Sequence, residues 1–122
     1  MNVRKFFRSF RFAVEGLQAA VKEQNLKFHL LIAVIVVIAG FATGLTAVEW
    51  SVIVLTIAVV IGAEFFNTAI ERVVDLASPE IHPLAKQAKD VAAGAVLVFA
   101  LASVIIGLLI FLPKWLLKIG LI

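Results

Sequence analysis

The chain has 122 residues, of which 63% are hydrophobic, with a mean hydropathy of +1.12, a net charge of +3 and no cysteine. These values bound it to one small domain too apolar to dissolve in water, and they exclude a disulfide framework and a thiolate metal site. So slight a cation surplus implies no nucleic-acid partner.

Residues 1–25 read as an amphipathic surface helix. Val3, Phe6, Phe7, Phe10, Val14, Leu17 and Val21 recur at i, i+3, i+4, i+7 and form one narrow apolar stripe. The other side carries Arg4, Lys5, Arg8, Arg11, Glu15 and Lys22, as expected of a helix lying in an anionic headgroup layer. Phe12 stands apart, on the polar side with Lys5, Arg8 and Glu23. Two roles suit it: packing on a neighbouring helix, or serving as an adenine platform above a cationic phosphate site.

Three runs follow that are long enough to cross a bilayer. Leu30–Val48 holds 19 residues without an ionisable group, and Val91–Leu112 holds 22 without a charge. Between them Trp50–Val74 is apolar apart from Glu64, Asn67, Thr68, Glu71 and Arg72. A spanning helix needs about 20 residues. The expected fold is therefore an all-α integral membrane domain over 1–122, with the surface helix followed by spanning helices over 28–48, 50–75 and 84–112. The first run is too long, and its basic leader too spread out, for a cleaved signal peptide.

The connections carry their own signals. Gly44 suits a helix stop, and Thr46-x-x-Glu49 has the spacing of a capping box, which makes Glu49 structural. Two prolines within Ala77–Leu84 forbid a continuous helix, and Pro83 suits the first turn of the next one. Ala92, Ala93, Gly94 and Ala95 let neighbouring helices approach closely. No internal repeat is present.

Lys and Arg set the expected orientation. With the N-terminus cytoplasmic, the inner face holds Arg4, Lys5, Arg8, Arg11, Lys22 and Lys27 together with Arg72, Lys86 and Lys89, leaving Lys114 and Lys118 outside. That is a clear positive-inside bias.

The most informative stretch is Ala63–Asp75. At about 100° per residue, Glu64, Asn67, Thr68, Glu71 and Asp75 fall within roughly a quarter of the helix circumference. A carboxylate at the bilayer centre costs about 2.5–3.5 kcal/mol, so an aligned set at the end of a span points to function. Hard oxygen ligands such as Glu23 and Glu71 suit Mg²⁺, while Lys89, Lys5 and Arg8 can meet phosphates. Glu64 lies deepest, where desolvation makes a carboxylate a stronger proton acceptor. Blander readings stand beside these. Glu64 could pair with a lysine in the bundle; Arg72, Asp75 and Lys86 could form a solvated helix end; His82 suits a loop hydrogen bond better than a base. Neither a phosphate-binding Gly-x-x-x-x-Gly-Lys-Ser/Thr loop nor a protein-kinase His-Arg-Asp signature occurs.

At Glu64-Phe-Phe-Asn-Thr-Ala-Ile-Glu-Arg-Val-Val-Asp75, Glu80-Ile-His82 and Ala85-Lys-Gln-Ala-Lys-Asp90 the chain closely resembles the prokaryotic diacylglycerol kinase family, and the likeness covers nearly its whole length. The resemblance implies a kinase of membrane lipids in the bacterial cell membrane, with N-terminus and active site cytoplasmic, acting as a homotrimer whose sites lie between protomers. By it, Glu64 is the catalytic base and Glu23 with Glu71 holds Mg²⁺. Asn67, Glu80, His82, Lys89 and Asp90 line the ATP site with Glu23 and Glu71, and Asp75 supports it. Lys5 and Phe12 fall near the family's cation and aromatic against the nucleotide. Glu15-Gly-Leu-Gln and Lys22-Glu-Gln-Asn-Leu-Lys-Phe-His-Leu30 resemble the Gram-positive branch, which phosphorylates undecaprenol. His29 stands where Gram-negative diacylglycerol enzymes tend to carry an acid.

The expectation is thus ATP- and Mg²⁺-dependent conversion of undecaprenol to undecaprenyl phosphate. Its rivals are a diacylglycerol kinase making phosphatidic acid, a small proton-coupled exporter, which would want four spans, and a non-catalytic assembly subunit.

Overall fold

The computed structural model describes residues 1–122 as four helices: α1 (Val3–Ala20), α2 (Gln24–Thr43), α3 (Ala47–Ala77) and α4 (Pro83–Lys118). The last three are long and apolar enough to cross a membrane. Three such helices leave an exporter of the four-span kind without its fourth.

Each helix end has a local cause. The Asn2 side chain starts α1 by accepting from the Lys5 backbone N at 3.2 Å. Gly44 ends α2 with φ +81°, a left-handed conformation that costs a side-chain-bearing residue strain. At the start of α3 the Glu49 N donates to Thr46 Oγ1 at 3.2 Å and the Thr46 N donates to Glu49 Oε2 at 2.8 Å, a complete capping box. His82 caps α4, its Nδ1 accepting from the Leu84 N at 3.1 Å, and Pro83 occupies the first turn.

The helices differ in extent from the runs expected to span. The first is Gln24–Thr43, not 28–48. Gln24, Asn25 and Lys27 continue the helix beyond the apolar run, whereas Gly44–Val48, equally apolar, forms the turn and opens α3. The second starts at Ala47 and runs to Ala77, past 50–75. The third begins at Pro83 and passes Pro113 to reach Lys118, beyond 84–112. Pro113 forfeits one backbone donor without stopping the helix.

α4 packs chiefly along α3, α2 lies against both, and α1 touches α3. Only 11 residues are buried, among them Ile53, Val60, Ala92, Val96 and Phe111, so most large apolar side chains face outward. That is the reverse of a soluble domain, and it requires lipid or protein around the bundle. On α1, Phe6, Phe7, Phe10 and Phe12 are all exposed.

The end of the bundle opposite the 78–82 loop is tightly fastened. Trp50 lies over buried Gly40, where an added Cβ would sit 2.6 Å from the indole, and its ring meets that of Phe41 at 4.8 Å with a 48° tilt. Trp115 Nε1 donates to Thr43 Oγ1 at 2.9 Å, and Lys114 Nζ meets Glu49 Oε2 at 3.1 Å.

Candidate active site

The acid row faces inward. Glu64, Asn67 and Thr68 are 3%, 4% and 7% exposed, in a span where burial of a carboxylate without partners would be costly. Asn67 supplies part of the compensation. Its Nδ2 donates to Glu64 Oε2 at 3.4 Å and to Glu71 Oε1 at 3.3 Å, so one amide links acids a turn below and a turn above. From α2, His29 Nε2 approaches Glu64 Oε1 at 3.5 Å. The partners of Glu64 are therefore an amide and an imidazole, not the lysine considered above.

Asn67 Oδ1 is buried and has no hydrogen-bond partner. Leaving such a group unmatched costs about 1–3 kcal/mol. It belongs to the side chain that bridges the two acids.

Glu23 sits at the bend between α1 and α2, where Arg72 Nη2 of α3 holds its Oε1 at 3.1 Å. With Gln24, Asn25, Glu64, Asn67, Thr68 and Glu71 it lines a cleft of about 110 Å³ that contains no hydrophobic residue. Glu64 and Glu71 also border a larger cleft, about 270 Å³, reaching His29 and the small residues Ala93 and Ala100 of α4. No three acidic or histidine side chains converge into a ready metal cage. Mg²⁺ does not need one, since it is commonly held by one or two carboxylates plus substrate phosphates and keeps several waters. The all-oxygen donors Glu23 and Glu71, beside the unmatched Asn67 Oδ1, fit that ion.

A second polar cleft, about 310 Å³, lies at the helix ends, lined by Asp75, Ser78, Glu80, His82, Lys86 and Lys89 among others. Here Lys89 of α4 is ion-paired with Asp75 of α3, and Lys86 with Asp90. Ser78 Oγ donates to the Glu80 carbonyl at 3.0 Å. His82 is a loop hydrogen-bonder here, its Nδ1 occupied in capping α4.

The structure thus gathers Glu23, Glu64, Asn67 and Glu71 in one place, and Asp75, Glu80, His82 and Lys89 in the next. Asp90 turns to Lys86 and does not line the second cleft. Lys5 and Phe12, on the exposed α1, line neither polar cleft, and Phe12 is 57% exposed instead of packed on a neighbouring helix. Arg72, read from sequence as part of a solvated helix end, instead tethers Glu23. Asn25, which the sequence offers only as part of the stretch Lys22–Leu30, stands four residues before His29, one helical turn away on the same face.

Comparison with known proteins places these clefts in context. Residues 11–111 match the family described as prokaryotic diacylglycerol kinase. The chain is 51% identical to an undecaprenol kinase of Bacillus subtilis over 114 residues, 93% of either chain. It is 44% identical to a diacylglycerol kinase of Synechocystis across 86% of this chain and 61% of that one. A diacylglycerol kinase of Helicobacter pylori is 28% identical, over 78% of this chain and 75% of its own length.

Proposed function

This chain belongs to the prokaryotic diacylglycerol kinase family, and we propose that, as a membrane lipid kinase, it transfers the γ-phosphate of ATP to the hydroxyl of undecaprenol. The strong likeness to an undecaprenol kinase over nearly the full length supports that acceptor. The observation that carries the mechanism is a buried carboxylate, Glu64, at the inner end of a polar cleft in a membrane-spanning helix.

In this reading Glu64 takes the proton of the lipid hydroxyl as its oxygen attacks the γ-phosphorus. A new P–O bond to the lipid forms, the bond from the γ-phosphorus to the β,γ-bridging oxygen breaks, and ADP leaves. Asn67 orients Glu64 and Glu71 through its two donated hydrogen bonds. Glu23 and Glu71 are the residues that would hold Mg²⁺, which would offset the negative charge of the phosphates. Glu80, His82 and Lys89 extend the ATP site from Asn67 and Glu71 toward the helix ends, Asp75 fixes the Lys89 ammonium, and Asp90 would join them on turning from Lys86. The proposed lid is α1, lying in the headgroup layer with Lys5 and Phe12 over the nucleotide.

The site is proposed to face the cytoplasm of a bacterial cell, where the excess of Lys and Arg belongs and ATP is available. A homotrimer with sites completed between protomers would cover the outward apolar flanks and the open clefts.

The names of several relatives favour diacylglycerol as a second acceptor. Purified protein in detergent micelles, given labelled ATP with undecaprenol or diacylglycerol, decides between them. The expected result is a kcat/KM at least tenfold higher for undecaprenol. A preference for diacylglycerol would overturn the acceptor assignment, and phosphorylation of neither lipid would overturn the kinase reading.

A further inference from the structure

The wall that holds Glu64 continues beyond it. Where the polar cleft ends, α2, α3 and α4 line a partly open cavity of about 90 Å³, bordered by His29, Ala33, Val36, Ile57, Ile61 and Gly107 among others. Its lining runs down α2 from His29 to Val36, back along α3 from Ile61 to Ile53, and down α4 from Ser103 to Gly107. All three directions lead away from the 78–82 loop and into the apolar part of the spans. His29 lines both this cavity and the cleft beside Glu64, so the two spaces meet at the His29–Glu64 contact.

The cavity is drier than its residue list suggests. Thr56 Oγ1 donates to the Val52 carbonyl and Ser103 Oγ to the Ala100 carbonyl, each at 2.7 Å. Both hydroxyl protons are committed to their own helices, and the remaining polar side chain of the lining, His29, turns its Nε2 toward Glu64 at 3.5 Å. We infer that this cavity seats the branched hydrocarbon next to the reacting hydroxyl, the first isoprenoid unit of a prenol, with His29 at its mouth beside that hydroxyl.

Size and polarity agree. A dry cavity of about 150 Å³ takes up benzene, so this smaller one holds a unit of a few carbons and not a chain. In diacylglycerol the carbon neighbouring the hydroxyl-bearing one carries an ester. Its carbonyl would enter a space with no free donor and lose its hydrogen bonds to water, whereas a prenyl unit loses none. The seat therefore discriminates by chemistry as well as by shape. This inference rests on the lipid-kinase reading above.

Two measurements on the full-length protein in micelles test it. A prenol carrying a photoreactive diazirine in its first isoprene unit is expected to label residues in 29–36, 53–61 or 103–107 on their cavity-lining side. Adducts confined to outward-facing side chains such as Ile38 and Leu55 would overturn the seat. Filling the cavity is the second measurement. A Cβ on Gly107 meets nothing within 4 Å, so Gly107→Leu places its side chain in open space, and Ala33→Leu fills from the α2 wall. Each is expected to raise KM for the prenol tenfold or more while KM for ATP stays within twofold. A prenol KM within twofold of wild type in both variants would overturn the inference; if one variant does not fold, the other and the wild-type labelling decide. Outward-only adducts on an active kinase defeat the seat alone, whereas cavity adducts on a protein that phosphorylates no lipid support the seat and defeat the kinase reading.

Discussion

Arg72 reaches 3.1 Å from Glu23 across 49 positions of sequence, pinning the bend between α1 and α2 to the upper part of α3. Both side chains are about half exposed, so the pair itself contributes little to stability, within about 1 kcal/mol. Its larger effect is to fix where the Glu23 carboxylate stands. Arg72→Gln should leave the thermal midpoint nearly unchanged and raise the Mg²⁺ concentration for half-maximal activity severalfold. A Mg²⁺ titration identical to wild type would show that Arg72 does not set the position of Glu23.

Glu64→Gln keeps the shape and the hydrogen bond to Asn67 but removes the proton acceptor. Turnover should fall by about 10²–10⁴, the usual worth of a positioned base. ATP affinity, measured by equilibrium binding, should stay within about twofold. Wild-type turnover in this variant would rule out Glu64 as the base.

Glu71→Gln removes one hard oxygen ligand from the polar cleft. The expected outcome is a roughly tenfold higher Mg²⁺ requirement, with much of the rate recovered at high Mg²⁺. Chelation of divalent ions should abolish wild-type activity, and added Mg²⁺ should restore it. Activity that survives chelation would remove the metal from the mechanism.

At the far end, Gly40→Ala would drive a methyl into the Trp50 indole, whose ring lies 4.8 Å from that of Phe41. Overpacking of this kind costs about 1–3 kcal/mol, read as a lower thermal midpoint in detergent. Adding Trp50→Leu should return part of that loss, because the two sites share one contact. Equal midpoints for wild type and Gly40→Ala would mean that the indole moves aside freely.

Much of this architecture was legible in the chain. Four helices, the Gly44 stop, the Thr46–Glu49 box and Pro83 in a first turn all rest on local rules, and local rules act within a few residues. The acid row was legible for the same reason, since its spacing alone puts it on one side of α3. Span limits were less so, because hydropathy does not separate a helix interior from an apolar turn such as Gly44–Val48, nor foresee helix continuing through Pro113. Hidden altogether were contacts between distant residues: Arg72 with Glu23, Trp115 with Thr43, and His29 with Glu64. These depend on how three helices rotate against one another, which no single helix encodes. The same limit separated Lys5 and Phe12 from the clefts, since nothing local fixes where a surface helix swings.

The two ends of the bundle are unlike in stiffness. One is bolted by an indole lodged on a glycine, by a second indole bonded to a threonine, and by a part-buried lysine–glutamate pair. The other is laced by ion pairs standing mostly in the open, which yield readily. Compliance therefore gathers at the end where the proposed nucleotide site lies, while the anchored end keeps the helices in register. Amide exchange should run faster around Ser78–His82 than around Thr43–Trp50, and the molecule can breathe at its doorway without loosening its foundation.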